Sequence, residues 1–135
     1  MNLAMLKYFD VEDVQEALPQ VEQLVRKLMK LNKSISLLNS IEIDTADLSF
    51  EQFQNITKMN KTYHKLSFDF YKYLEALERI GCILKDVEQG LVDFYSRFEG
   101  RDILLCWKLG EKRIRYWHEI STGFQGRQPI VEIGL

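Results

Sequence analysis

The side chains with the most chemical potential lie between Gly81 and Pro129. That run, GCILKDVEQGLVDFYSRFEGRDILLCWKLGEKRIRYWHEISTGFQGRQP, holds both cysteines, both tryptophans, His118 and six of the seven glycines. Zinc is the first chemistry to weigh. Cys82, Cys106, His64, His118 and several carboxylates are available as ligands, yet no CxxC, HxxxH or HExxH spacing joins them. No metal and no cofactor is therefore expected, and only long-range assembly would supply a metal centre. Cys106 as a nucleophile requires a thiolate held by a nearby cation, with Lys108 and Arg115 available on its side of a strand. A small apolar side chain packed in a sheet is the simpler role for it.

A polar ligand site is the stronger chemical reading. Lys85, Asp86, Asp93, Glu111, His118, Glu119 and Arg127 are the candidate binding residues. Arg127 stands in GFQGRQP, where glycines allow close backbone approach and a guanidinium grips a carboxylate or phosphate in two places. The competing role, placed ahead, is an internal salt bridge from Arg127 to Glu119 or Asp93 that pins the tail to the sheet. His118 falls on an apolar strand face, where a buried imidazole demands hydrogen-bond partners. Glu119, its neighbour, points the other way, so the two do not readily share a metal or a proton. No glycine-rich strand-loop-helix for phosphate is present. The basic residues of KLGEKRIR alternate with Glu111 at a hairpin tip and read as a solvated turn, so nucleic acid is not an expected partner.

The elements that must position these residues fall into two parts. Asp10 and Asp13 form a capping box for a short helix through Ala17, and Pro19 suits the first turn of a second one. From there Val21, Leu24, Leu28, Leu31, Ile35 and Leu38 alternate steps of three and four, a coiled-coil-like seam. The stretch SIEIDTADLS breaks that pattern. Ser49 and Gln52 form the next capping box, and the helix they open runs to a C-capping Gly81. It carries Phe53, Ile56, Asn60, Tyr63, Ser67, Phe70, Leu74 and Leu77 on the same spacing. It should reach about 45–50 Å against about 30 Å for the helix before it, packing antiparallel across the short connection. Phe50, Phe68, Tyr71 and Tyr73 widen its apolar surface beyond one stripe, which suggests a homodimer or another protein partner.

After Gly81 the period changes to two. Leu91–Tyr95, Asp102–Leu109 and Arg113–Ile120 are β-rich runs separated by turn signals, with Cys82–Lys85 a candidate fourth strand. Unbroken alternation places Ile103, Leu105, Trp107, Leu109, Ile114, Tyr116, His118 and Ile120 on the face toward the helices. It places Leu104, Cys106, Lys108, Arg113, Arg115, Trp117 and Glu119 on the other. The expected fold is α+β: a long antiparallel helical hairpin over residues 10–80 and a small antiparallel meander over 81–135, within one domain of 135 residues.

Composition bounds the rest. A hydrophobic fraction of 46% with 28% charged residues is that of a folded globular chain. A formal charge of -2 gives no footprint for nucleic acid or an anionic membrane. No apolar run approaches the roughly 20 residues of a membrane span. MNLAMLKYFDVEDV lacks the features of a cleaved leader, and two cysteines without framework spacing suit a reducing cytoplasm.

Leu105-Cys106-Trp107, Gly110-Glu111, Tyr116-Trp117-His118-Glu119, Gly123-Phe124 and Gly126-Arg127-Gln128-Pro129 together resemble the prokaryotic family catalogued as domain of unknown function 2203. Lys85-Asp86, Gly90-Leu91-Val92-Asp93-Phe94, Tyr8-Phe9 and Leu18-Pro19 extend the resemblance over essentially the whole chain. It departs at Asp10 and Tyr95, where threonine and proline are usual. The resemblance implies a fold and a characteristic surface but no established activity. The function expected is a non-catalytic interaction or scaffold protein that self-associates through its hairpin. The alternative is a small-ligand-binding protein or modest enzyme with His118, Glu119 and Arg127 around a polar site.

Overall fold

The computed structural model describes residues 6–44 and 46–132. Residues 1–5, part of the stretch read as carrying no leader, and the last residues of the C-terminal tail lie outside them. Helix α1 spans Val11–Asn39 and helix α2 spans Phe50–Ile80. Both capping boxes form. Asp13 N–H donates to Asp10 Oδ1 at 2.7 Å and Asp10 N–H to Asp13 Oδ2 at 3.1 Å, while Ser49 and Gln52 exchange the equivalent pair. Gly81 ends α2 in the left-handed region at φ 103°, its N–H bonded to the Leu77 carbonyl. A Cβ there would meet Lys7 Cβ at 3.1 Å, so glycine serves both the backbone and the packing.

The expected break at Pro19 does not occur: α1 runs straight through it. Proline removes one helical donor, but Val14, Leu18, Val21, Leu24, Val25 and Leu28 are all buried on one side of the helix. That burial spans the proline on both sides and outweighs the roughly 3 kcal/mol a mid-helix proline costs. One consequence is that the helices match in length, 29 and 31 residues, or about 43 and 46 Å. The expected overhang of the second helix disappears.

Among the described residues the sheet has five antiparallel strands in sequence order: β1 (Ile83–Asp86), β2 (Leu91–Phe98), β3 (Arg101–Lys108), β4 (Tyr116–Glu119) and β5 (Gln128–Pro129). The candidate first strand is real, and β5 was not foreseen. Glu99 and Gly100 join β2 to β3 with φ 52° and 75°, the two positive values that a type I′ hairpin turn requires.

The register corrects the assignment of faces. Val92 pairs with Trp107, Phe94 with Leu105, and Leu105 with Trp117. Trp117 therefore points at the helices, in one core with Phe9, Val21, Val25, Leu28 and Leu77. Cys106 pairs with Tyr116 and Leu104 with His118, which puts Tyr116 and His118 on the outer face. The cause lies before β4. Ile114 is buried in the core, yet regular pairing starts only at Tyr116, so the strand expected from Arg113 to Ile120 is irregular over its first three residues. One step of alternation is lost there, and every side chain beyond changes face.

Candidate functional site

The same register assembles the most unusual cluster in the molecule. Asp93 on β2 lies directly across from Cys106 on β3, and His118 on β4 pairs with Leu104, two residues along β3, and so stands diagonal to Cys106. Three neighbouring strands thus each contribute one titratable side chain to a single cluster on the outer face. An outer face of a small sheet is normally solvated. Here Asp93, Cys106 and His118 are only 3%, 2% and 2% exposed.

Their hydrogen bonds restrict the protons. His118 Nδ1 lies 2.8 Å from the backbone carbonyl of Glu119, which can only accept, so Nδ1 carries a hydrogen. His118 Nε2 lies 3.2 and 3.3 Å from the two carboxylate oxygens of Asp93. That contact is satisfied by one proton shared between ring and carboxylate. Cys106 completes the group, with Sγ, a carboxylate oxygen and a ring nitrogen all within 4.8 Å of one another. Burial, assisted by the Asp93 carboxylate and opposed by Arg127, pushes the Cys106 thiol up to about 12. At neutral pH it is a thiol, which argues against a free thiolate nucleophile.

The segment after β4 covers the cluster. Residues Thr122, Gly123 and Phe124 cross the outer face and, with Lys85, Leu91, Leu104 and Ile120, enclose a recess of about 180 Å³ whose floor is Asp93, Cys106 and His118. The segment turns tightly on itself: a Cβ on Gly126 would stand 2.5 Å from the Thr122 side chain. Arg127 clamps the far end. Its guanidinium donates to Glu111 Oε1 at 2.5 Å and to the Cys106 carbonyl at 3.1 Å. It also lies over the rings of Tyr116 and Phe124 at 4.1 and 4.7 Å. Arg127 does make an internal bridge, but with Glu111 rather than with Glu119 or Asp93.

The candidate residues therefore separate. Lys85, Asp93 and His118 reach the recess. Asp86 does not: its carboxylate accepts from the backbone N–H groups of Glu88 and Gln89 and shapes the β1–β2 turn. Glu111 accepts from the Lys108 N–H as well as from Arg127, and its carbonyl takes the Trp107 indole N–H. Glu119 lies at the opposite edge, paired with Arg101 at 2.6 Å, a contact that lowers its pKa. Only its carbonyl serves the cluster. Cys106, Thr122, Gly123 and Phe124, with the apolar Leu91, Leu104 and Ile120, are the recess residues that the candidate set omitted. For Cys106 the signal was its place on the outer face beside Lys108, which was read as packing. His118 was assigned to the inner face, so the two could not be seen together.

A family model described as an uncharacterized conserved protein (DUF2203) matches residues 7–130. The chain belongs to the DUF2203 family. No curated protein and no solved structure matches it. Within this DUF2203 chain the motif residues divide by task. Trp107 and Trp117 fill the core, Glu111 and Arg127 form the clamp, and Asp93, Cys106 and His118 make the floor of the recess.

Proposed function

We propose that this DUF2203 protein binds a small polar ligand in the recess on the outer sheet face. The convergence of three fully buried titratable side chains at the floor of one cavity carries the reading. Burying such groups is unfavourable, and apolar residues of similar size would stabilise a sheet better. Lys85 at the rim adds a cation toward an anionic part of a ligand. The protonated thiol of Cys106 favours binding over covalent catalysis through that residue. Two unpaired buried cysteines suit a reducing, cytosolic setting.

The test compares wild type with Asp93→Leu/His118→Leu in a thermal-shift panel of small carboxylates, phosphates, amines and divalent cations. Panel members that raise the wild-type Tm should leave the double variant unmoved, while its own Tm equals or exceeds that of wild type. A silent panel combined with a clear drop in the variant's Tm would assign the cluster to the framework.

Self-association through the hairpin is the second reading. Leu37, Phe50, Phe53, Phe68 and Tyr71 are between 57% and 75% exposed, an unusual density of apolar surface for two helices.

A further inference from the structure

We propose that Asp93, Cys106 and His118 form a binding site for a zinc-class transition-metal dication, with one coordination position open to the recess. The inference rests on the ligand-binding reading and gives the ligand its chemistry. Two geometric observations support it together.

The first is geometry. Around a tetrahedral zinc with bonds of roughly 2.0–2.3 Å, ligand atoms stand about 3.3–3.6 Å apart. His118 Nε2 and Asp93 Oδ2 are 3.2 Å apart, just short of that spacing. Cys106 Sγ lies within 4.8 Å of both, so a side-chain movement of about 1 Å brings it into reach.

The second is the orientation of the imidazole. A metal-bound histidine typically donates its other N–H to a carbonyl or carboxylate, which fixes the ring and the tautomer. His118 Nδ1 does this to the Glu119 carbonyl at 2.8 Å, leaving Nε2 aimed at the cluster.

The binding step also balances in charge. The loaded site would hold one thiolate, one carboxylate, one neutral imidazole and one dication, and is neutral. Loading releases the Cys106 thiol proton and the proton shared by His118 and Asp93, so two protons leave as one dication enters. The exchange is electroneutral, as a buried site needs. A bound cation also reverses the effect of burial on the thiol, because coordination deprotonates it outright. The mixed sulfur, nitrogen and oxygen set suits zinc and its neighbours and not magnesium or calcium, which take oxygen ligands. Three protein ligands with an open fourth position is the arrangement of reactive rather than structural zinc sites. Here the open position faces the recess of about 180 Å³ under Phe124.

The experiment titrates zinc and cobalt(II) ions into reduced, chelator-treated protein, following stoichiometry by calorimetry and cobalt binding by absorbance. One metal per chain is expected, with a thiolate-to-cobalt charge-transfer band. Cys106→Ser should abolish that band, and Cys82→Ser, at the other buried thiol, should keep it. Asp93→Asn and His118→Gln should each weaken zinc by more than the roughly 10–100-fold that loss of an orienting partner costs. Retained Tm in these near-isosteric variants establishes that they fold. No stoichiometric metal on wild type, or a band that survives Cys106→Ser, overturns the proposal. If wild type takes no metal while an organic panel member still raises its Tm, the metal inference fails and the recess reading stands. If neither binds, both fail.

Discussion

At the scale of single residues, Arg127 shows how a side chain that resembles a ligand anchor is used by the protein itself. Its guanidinium pairs with Glu111, and the two side chains are 13% and 22% exposed. It is stacked between Tyr116 and Phe124 and takes the Cys106 carbonyl. Arg127→Ala should therefore lose about 1–3 kcal/mol of stability, because Glu111 stays half-buried without its partner. Arg127→Lys should recover only part of that, since an ammonium neither stacks nor forks. Urea denaturation of the two variants checks this. An unchanged midpoint for Arg127→Ala would mean that the clamp contributes nothing. The sequence revealed that Arg127 was engaged, but not with which acid. Glu119, Asp93 and Glu111 are equivalent as letters, and only the register decides that Arg101 takes Glu119 and His118 takes Asp93. The recess itself was half legible. Asp93, Lys85 and His118 stood out by type, whereas Cys106 could be seen as their companion only after His118 had been moved to the outer face.

At the scale of elements, local signals were reliable wherever a short-range hydrogen bond decides the outcome. Both capping boxes and the glycine stop at the end of α2 are of that kind. They failed where packing overrides them, as at Pro19, which is itself exposed while its neighbours Leu18 and Val21 are buried. Pro19 deprives the helix of one hydrogen bond without contributing to the core. Pro19→Ala should restore that bond and stabilise the protein by about 1–2 kcal/mol, the helix penalty less the lost restriction of the unfolded chain. A rise in the urea midpoint is the expected result. A fall would mean that the proline bends α1 to the curvature the sheet demands. The face error has the same origin. Alternation is a sound rule inside a strand, but nothing in Arg113-Ile114-Arg115 announces that the ladder begins only at Tyr116. Trp117 and His118 were consequently interchanged between core and recess.

At the scale of the whole molecule, burial is concentrated at one end. The buried residues of α1 stop at Leu28 and α2 has only Leu77, so from Met29 to Ala76 no described side chain is fully buried. Outside that end the two helices share only a half-buried seam, too little to cover either of them. The exposed aromatics are ordered. Phe50 and Phe68 are 18 residues apart, five full turns, and so are Phe53 and Tyr71. All four share one stripe about 32 Å long on α2. At exposures of 57–75% they present on the order of 500 Å² of aromatic surface. That is comparable to the roughly 800 Å² per partner of a standard interface. A second copy packing the same stripe in antiparallel register would complete a four-helix arrangement and leave both recesses free. Sedimentation velocity should then give a dimer mass at concentrations of roughly 10–100 µM, as a modest interface requires. Phe53→Ser/Phe68→Ser should return the protein to monomer with little change in Tm, because neither side chain contributes to the core. Metal binding in that variant should match wild type, since the stripe and the recess lie on different parts of the molecule. A wild type that stays monomeric across the whole range would remove the self-association reading and leave the stripe to a different protein.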